Sequence, residues 1–458
     1  MTGKAVVEQC TSENNQVIAE DICGQNSNLN VGGIAGSSCG SVRDCRVQGG
    51  VVYGSNAGGV VGQISAGEIT GCYNSADVYG TCYTGGICGW NVTTTHLQMS
   101  ECVNEGTVHE CSETSGSMEQ YAGGIVGYTL NGITINRCRN AGNISSGEQS
   151  CNAAPVSVGG ILGGGWNDGS RDWIISNTVN TGTLIERQHS VSYIGGVVGD
   201  GAYPRLRLSN IANFGTLLYT VQDTYAEAAI GGIMGRGCEA EQTGSTIWNL
   251  LQQHAMTNCV NYGTVQFDSD SKSAESIAYH AVTSGGLSGN AAATVWNNCY
   301  EASVSDLPLF GKEGNGTIME VHRIDRAQRA GEASAAFISE NAASYAHTSS
   351  LAEVLNAYVS AQNGAKGDYL SWMQEDDTYP TLNLTIDLTK SGYSTDRLAD
   401  GASLLPKPSA TPTSSPTAIP SVKPSMAPNI RPTAVPTKRP TVVPTKRPAK
   451  MYQLKGRM

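Results

Sequence analysis

The sequence predicts an all-β protein: a parallel β-solenoid (β-helix) over residues 1–305, followed by a small α+β cap and a disordered proline-rich tail. Three observations predict this class. The motif Gly-Gly-apolar-x-Gly occurs eight times, a second motif, Cys-x-Asn-x-Gly-x-Val, lies between its copies, and β-branched residues dominate the apolar position of the first. Short fixed motifs separated by segments of variable length are typical of stacked repeats that extrude loops. A right-handed stack is favoured.

The first motif predicts a ladder of strand residues inside the stack. Its copies begin at Gly32, Gly58, Gly85, Gly123, Gly159, Gly195, Gly231 and Gly285. Its apolar position reads Ile34, Val60, Ile87, Ile125, Ile161, Val197, Ile233 and Leu287. β-Branched side chains favour strands, and glycine permits sharp turns and close backbone approach. We therefore expect buried apolar residues in register, separated by glycine corners.

The second motif predicts another set of strand positions. Its clearest copies are Cys102–Val108, Cys138–Ile144 and Cys259–Val265. More divergent copies are Cys45–Val51, Cys72–Val78, Thr178–Leu184, Ile211–Leu217 and Cys299–Val304, with Cys10–Val17 as a degenerate ninth. Six copies carry Asn at the third position, where two roles fit: a turn residue with left-handed backbone, or a hydrogen-bonded side-chain ladder. The rival architecture, independent β-hairpins, is disfavoured because no Asn-Gly turn recurs at a fixed offset.

The cysteines follow the repeat. Six of the fourteen share one phase of the second motif, at which Thr178 and Ile211 substitute: Cys45, Cys72, Cys102, Cys138, Cys259 and Cys299. A position that accepts Cys, Thr or Ile is a small buried one, so stacked free thiols are favoured over disulfides. A zinc site is disfavoured because no Cys-x-x-Cys occurs.

The two motifs resemble those of bacterial cell-surface proteins with GLUG-motif repeats. Gly123–Gly127 is similar to the Gly-Gly-Leu-Val-Gly segment of that family, and Asn258–Val265 to its Asn-Cys-Tyr-x-x-Gly-x-Val segment, as is Asn298-Cys299-Tyr300. The resemblance covers roughly residues 30–305. It implies an extracellular, adhesin-like repeat protein and no catalytic residue. Similar repeats precede the catalytic domain of some immunoglobulin A metallopeptidases.

The chain changes character after the last copy, and we assign residues 306–400 to a cap for the exposed end of the stack. Apolar residues at helical spacing predict one amphipathic helix across Leu351–Val359, and Ser350 with Glu353 fits a capping box. Trp372 and the segment Tyr379–Leu382 resemble the close of GLUG-type arrays.

Residues 401–458 form a basic linker or stalk. Pro recurs at every fourth position from Pro408 to Pro448, which excludes a helix or central strand. Ten Lys and Arg and no acidic residue lie here, which leaves 18 basic and 39 acidic residues in the first 400. The acidic body disfavours nucleic-acid binding, whereas the tail suits contact with anionic cell-wall polymers. No apolar run reaches membrane-spanning length.

The termini show no targeting segment. Met1–Lys4 leads directly into polar sequence, without a signal peptide, and the last residues form neither a sorting signal nor an anchor. We therefore expect a fragment of a longer chain or a missed start.

No residue is assigned a catalytic, cofactor-binding or metal-ligating role. The zincin, nucleophile-elbow and phosphate-loop signatures are absent. The nearest acidic groups are Asp168 with Asp172 and Asp200, and Asp268 with Asp270, where solvated loops are the simpler interpretation. We expect a non-catalytic module at the cell surface or wall that binds host or polysaccharide ligands through variable loops. The alternatives are a carbohydrate-active β-helix enzyme and the repeat region of a larger surface peptidase.

Overall fold

A computed structural model describes most of the first 388 residues and shows mainly parallel β-strands. The described ranges are 5–19, 29–111, 119–146, 155–166, 171–187, 191–202, 205–220, 227–237, 254–268, 281–285, 287–290, 294–303, 307–312, 317–318, 321–324, 350–365, 367–374 and 379–388. Residues 1–408 group into one unit and 409–458 into a second. The predicted tail, 401–458, lies outside the described residues.

All but two of the described strands form three parallel sheets, each of which takes strands from successive repeat copies. The seventeen-stranded sheet contains Val6–Glu8, Thr11–Glu13, Ser41–Arg43, Arg46–Gln48, Glu68–Thr70, Tyr73–Asn74, Leu97–Ser100, Val103–Asn104, Ile133–Asn136, Arg139–Asn140, Asp172–Asn180, Arg205–Asn213, His254–Asn261, Thr294–Asn297, Cys299–Glu301, Thr317–Ile318 and Val321–Arg323. The fourteen-stranded sheet contains Gln16–Ile18, Asn30–Gly32, Val51–Gly58, Asp77–Gly85, Val108–Glu110, Gln120–Gly123, Ile144–Ser145, Val156–Gly159, Leu184–Arg187, Val191–Gly195, Leu217–Thr220, Glu227–Gly231, Val265–Asp268 and Ala281–Gly285. The nine-stranded sheet contains Ala35–Ser38, Val61–Ile64, Cys88–Asn91, Val126–Thr129, Leu162–Gly165, Val198–Asp200, Met234–Arg236, Ser288–Asn290 and Phe310–Lys312.

The chain visits the three sheets in a fixed order. Cys88–Asn91 belongs to the nine-stranded sheet, Leu97–Ser100 and Val103–Asn104 to the seventeen-stranded sheet, and Val108–Glu110 to the fourteen-stranded sheet. Each strand then pairs in parallel with its equivalent in the next copy. The sheets continue beyond the expected boundary at residue 305, because strands as late as Val321–Arg323 extend the ladders.

Apolar residues of both motifs form the core, as the sequence predicts. Seven of the eight first-motif residues, from Val60 to Leu287, are fully buried, and Ile34 packs against the same cluster. One assignment in the second motif is wrong. Val52, and not Val51, pairs with Val78 and is buried. Gly49 and Gly50, both with positive φ, accommodate the extra residue in this copy.

The second-motif asparagines form a hydrogen-bonded ladder through the interior. The ladder consists of Asn74, Asn104, Asn140, Asn180, Asn213 and Asn261. Nδ2 of each of the first five donates a hydrogen bond of 2.8–2.9 Å to Oδ1 of the next. Nδ2 of Asn261 donates to Glu301 at 3.0 Å. The carboxamides of Asn74, Asn104, Asn140, Asn180 and Asn213 also lie on the second glycine of a first motif. A Cβ on Gly86 would lie 2.3 Å from Cγ of Asn104. The two motifs therefore meet across a thin interior that has no room for a side chain at this glycine.

The left-handed turn residue is the one that precedes each second motif, and not the motif asparagine. The residues concerned are Gln9, Asp44, Gly71, Glu101, Arg137, Asn177, Asn210, Asn258 and Asn298, with φ between 49° and 65°. Of the two roles considered for the motif asparagine, the ladder is thus confirmed. The turn role belongs to a position at which residue type varies. Gln9, Asp44, Glu101 and Arg137 are exposed or half-buried there, whereas Asn177, Asn210, Asn258 and Asn298 are buried.

The in-phase cysteines are buried free thiols. All eleven cysteines in the described part of the chain are unpaired. Each in-phase Sγ–H donates to the carbonyl two residues earlier, as from Cys102 to Ser100 at 3.3 Å and from Cys45 to Arg43 at 3.2 Å. Cys72 and Cys102 also contact one another's thiols. The thiol of Cys102 and burial raise the pKa of Cys72, and burial and the thiol of Cys138 raise the pKa of Cys102. The prediction of stacked thiols is confirmed for these residues.

The C-terminal segment packs along the flank of the seventeen-stranded sheet. Helix α1, Leu351–Gly364, begins with the predicted capping box between Ser350 and Glu353. A two-stranded antiparallel ribbon, Trp372–Met373 and Thr381–Leu382, follows it. These elements bury apolar residues from successive repeat copies: Val179, Ala212, Val260 and Tyr300. The predicted cap on the end of the stack is, in its described part, a cover for the outward face of several copies.

The stacked turn asparagines anchor this cover. Asn177 accepts a hydrogen bond from the backbone N–H of Leu370 at 2.8 Å, and Asn210 accepts one from Trp372 Nε1 at 2.6 Å. Arg137 forms an ion pair with Asp368 at 2.7 Å. No helix in the described ranges combines the length and apolarity needed to cross a membrane.

Candidate functional site

The first motif builds a sharp corner between the fourteen-stranded and nine-stranded sheets. The strand Gln120–Gly123 ends at the first glycine, and Val126–Thr129 begins three residues later. A Cβ on Gly123 would lie 1.9 Å from the carbonyl oxygen of Val126, so the chain turns back on itself here. Side chains that point outward on either side of the corner consequently face one another.

Two rows of outward side chains line this corner along the stack. Ala122 is buried in the core, so its neighbour Tyr121 points outward. The row on the fourteen-stranded sheet is Asn30, Asn56, Tyr83, Tyr121, Ser157, Tyr193 and Ala229. The row on the nine-stranded sheet is Ser37, Gln63, Trp90, Tyr128, Gly164, Asp200 and Arg236. We call these two rows together the corner surface.

Aromatic rings meet across the corner in two neighbouring copies. Tyr83 stacks on Tyr128 with ring centroids 4.4 Å apart and an interplanar angle of 16°. Trp90 lies 5.3 Å from Tyr83, and Tyr121 meets Tyr128 edge-on at 4.8 Å. Tyr121 is buried, whereas the other three rings are half-buried. We call Tyr83, Trp90 and Tyr128 the aromatic platform.

Tyrosine hydroxyls at this site stay protonated. Burial, the nearby thiol of Cys82 and the carboxylate of Glu119 raise the pKa of Tyr83 to about 12. Burial and the carboxylates of Asp200 and Glu119 raise the pKa of Tyr121 further. Tyr121 donates its hydroxyl hydrogen to Glu119 at 2.5 Å. The platform therefore presents neutral rings beside an exposed carboxylate.

The adjoining part of the corner surface carries a charged pair. Arg236 donates to both carboxylate oxygens of Asp200, at 2.7 and 2.9 Å, and to the hydroxyl of Tyr193 at 2.8 Å. Its guanidinium also lies 3.9 Å from the Tyr193 ring centroid. A Cβ on Gly164 would lie 2.8 Å from Tyr121 and 3.0 Å from Cβ of Asp200. Glycine here lets the aromatic and charged parts of the surface meet.

The acidic residues considered from the sequence do not form one carboxylate group among the described residues. Asp172 lies in the seventeen-stranded sheet, paired with Arg205 at 2.7 Å and Arg207 at 3.0 Å. Asp200 lies in the nine-stranded sheet, paired with Arg236. Both carboxylates are bound by guanidinium groups, which suits a structural role. Asp168, Asp270 and the side chain of Asp268 lie outside the described residues.

The aromatic residues of the corner surface stand at regular positions relative to the first motif, although the motifs alone do not show that these side chains meet. Tyr83, Tyr121 and Tyr193 each stand two residues before a first motif, and Trp90 and Tyr128 each follow its last glycine. Such offsets are informative only once the corner geometry is known. Within the described residues no cluster of three or more His, Cys, Asp or Glu could hold a metal ion.

No protein-family model and no curated protein matches the chain. Among solved structures, the chain is similar to a candidate immunoglobulin A1 protease from Bacteroides ovatus, at 16% sequence identity. The alignment covers 83% of this chain and 75% of that one, with a TM-score of 0.33. A TM-score at this level does not establish a shared fold.

Proposed function

We propose that this chain is an extracellular binding or display module, built as a parallel β-solenoid with repeats of the GLUG type. One observation carries the proposal: parallel pairing from copy to copy is kept inside the sheets, while the connections outside them vary in length. Val51–Gly58 and Asp77–Gly85 run unbroken, yet the equivalent strands Val108–Glu110 and Gln120–Gly123 are separated by nine residues. A scaffold that keeps its core while it varies its connections is typical of a recognition surface.

The charge distribution supports the same role. The acidic first 400 residues disfavour nonspecific adhesion to anionic polymers. The basic, proline-rich residues 401–458 are the part of the chain suited to such polymers, as a semi-rigid stalk in the cell wall. The solenoid would then stand outside the wall, with its flank covered by α1 and the ribbon.

Surface labelling of the organism that encodes the chain tests this proposal. Antibodies raised against residues 29–324 are expected to label intact cells, and protease treatment of those cells is expected to remove the label. Antibodies against a cytosolic enzyme provide the control and are expected to label permeabilised cells only. Labelling of this protein that requires permeabilisation would contradict the proposal.

A further inference from the structure

We propose that the aromatic platform, Tyr83, Trp90 and Tyr128, binds a neutral glycan chain. The inference deepens the proposed function and rests on it, because the platform must face the cell exterior to meet such a ligand. The platform was not among the variable loops in which binding was expected. It is part of the rigid corner surface.

The three rings of the platform are half-buried and held in place against one another. Tyr83 and Tyr128 are held face to face at 4.4 Å, and Trp90 packs at 5.3 Å against the same tyrosine. Backbone pairing of Trp90 with Tyr128 locks the two strands that carry these residues. A ligand that stacks on the platform would therefore order few side chains on binding, which lowers the entropic cost.

The surroundings of the platform suit a ligand with apolar faces and hydroxyl edges. Glu119 is exposed, and its carboxylate already accepts from Tyr121. Gln63, the neighbour of Trp90 in register, is a half-buried amide, whereas Asn56 and Ser157, the neighbours of Tyr83 and Tyr121, are buried. Sugar rings combine apolar C–H faces with hydroxyl groups at their edges, so both features of the surface would be used.

The electrostatics favour a neutral glycan over an acidic one. Glu119 places an exposed carboxylate beside the platform, while Arg236 is engaged by Asp200. The first 400 residues are also strongly acidic overall. Anionic polymers would be repelled. A protein partner is disfavoured because, apart from the buried Tyr121, the register neighbours of the platform are polar or small, whereas the buried centre of a protein interface is more apolar.

A further aromatic residue, Trp166, lies beyond the platform along the stack. Trp166, 48% exposed, follows Gly165, and its backbone N–H bonds to the carbonyl of Thr129, the residue after Tyr128. Strands in neighbouring copies are separated by about 4.8 Å. A chain of sugar rings laid along the stack would thus pass from the platform toward Trp166.

Affinity electrophoresis of the full chain tests the inference. Native gels would contain barley β-glucan, glucomannan, xyloglucan or dextran as neutral polysaccharides, and polygalacturonate as the anionic one. We expect retardation in at least one neutral gel and none in polygalacturonate. Trp90→Leu combined with Tyr128→Leu should weaken binding about tenfold or more, since stacking is lost. Tyr79→Leu, at a half-buried tyrosine on the strand that carries Tyr83, is the control and should bind as wild type.

Footprinting of the unmodified protein supplies a readout that does not depend on variants folding. Oxidation of Trp90 and Tyr128, mapped by mass spectrometry, should fall when the retarding polysaccharide is present, while oxidation of Tyr79 stays constant. The inference is overturned by no retardation in any neutral gel, by retardation in polygalacturonate alone, or by platform oxidation that the polysaccharide leaves unchanged. If intact cells are labelled but these assays fail, the proposed display function is retained and the proposed glycan site is rejected.

Discussion

Nδ2 of Asn104 donates a 2.8 Å hydrogen bond to Oδ1 of Asn140 in the next repeat copy, and both carboxamides are fully buried. Every such amide also donates to the carbonyl of the residue two positions later, as Asn104 does to Gly106 at 2.9 Å. The ladder therefore satisfies these buried polar groups with partners inside the protein. Removing one asparagine leaves the preceding asparagine without its acceptor and the following one without its donor.

Asn140→Ala is expected to destabilise the protein by roughly 2–4 kcal/mol, because it removes a donor and an acceptor from a buried chain of hydrogen bonds. The midpoint of urea unfolding, followed by circular dichroism, measures the effect. Asn143→Ala, at an exposed asparagine three residues later, is the control and should cost well under half as much. Equal effects of the two substitutions would mean that the ladder adds nothing to stability.

Gly86→Ala is expected to disrupt the stack locally and to cost about 3 kcal/mol. Its Cβ would lie 2.1 Å from the carbonyl oxygen of Gly124 and 2.3 Å from Cγ of Asn104. Gly364→Ala is the matched control, because a Cβ there meets nothing within 4 Å. The control should leave the thermal unfolding midpoint unchanged or raise it. A tolerated Gly86→Ala would contradict the close contact of the two motifs.

Glu301 should make stability depend on pH. Burial raises its pKa to about 7, although hydrogen bonds from Asn261 and Ser303 and the charge of Arg323 oppose the shift. The folded state thus holds this proton more tightly than the unfolded state, whose pKa is near 4.5. Stability from this group is full below about pH 4.5 and is lost as pH rises toward 7.

The measurement is the unfolding free energy of wild type and Glu301→Gln at pH 5 and at pH 8. The wild type should lose more stability than the variant between these values, by an amount on the order of 3 kcal/mol. The difference between the two proteins isolates Glu301 from His254, whose pKa burial lowers to about 4 and whose contribution has the opposite sign. Parallel pH profiles for the two proteins would refute the assignment.

Trp372→Ala is expected to loosen the cover on the flank and to cost about 3–5 kcal/mol. The indole is buried in the apolar cluster that includes Val179 and Ala212, and it donates to Asn210, so its loss should weaken the packing of the cover. Hydrogen exchange should then quicken in Asp172–Asn180 and Arg205–Asn213 while the first repeat copies keep their protection. Trp166→Ala, at an exposed tryptophan, should change neither stability nor exchange. Uniform exchange throughout the Trp372 variant would instead indicate global loosening.

Native thiol labelling should separate the cysteines by position. Cys10 and Cys39 are exposed and should react with an alkylating reagent at neutral pH, whereas Cys72 and Cys102 should react only after unfolding. The thiol of Cys102 and burial raise the pKa of Cys72, and burial and the thiol of Cys138 raise the pKa of Cys102, so little thiolate is available. Mass spectrometry of labelled peptides provides the comparison. Rapid labelling of Cys102 in the folded protein would show that the stacked thiols are accessible to the reagent and would contradict the prediction.

The sequence by itself determined the ladders of this protein. Parallel pairing in register places identical residues above one another, so a repeated Ile125 or Asn140 predicts its own neighbours in space. The first-motif core, the asparagine ladder, the thiol stack and the α1 capping box were all readable in this way.

Only the tertiary structure decided the features that join positions unrelated by the repeat. The turn residue before each second motif varies from Gln9 to Asn298, because the left-handed backbone is imposed by the ladders on either side. The shift from Val51 to Val52 depends on how Gly49 and Gly50 close the turn. Tyr83 meets Tyr128, and Trp372 meets Asn210, through a corner and a flank whose geometry arises when the sheets pack together.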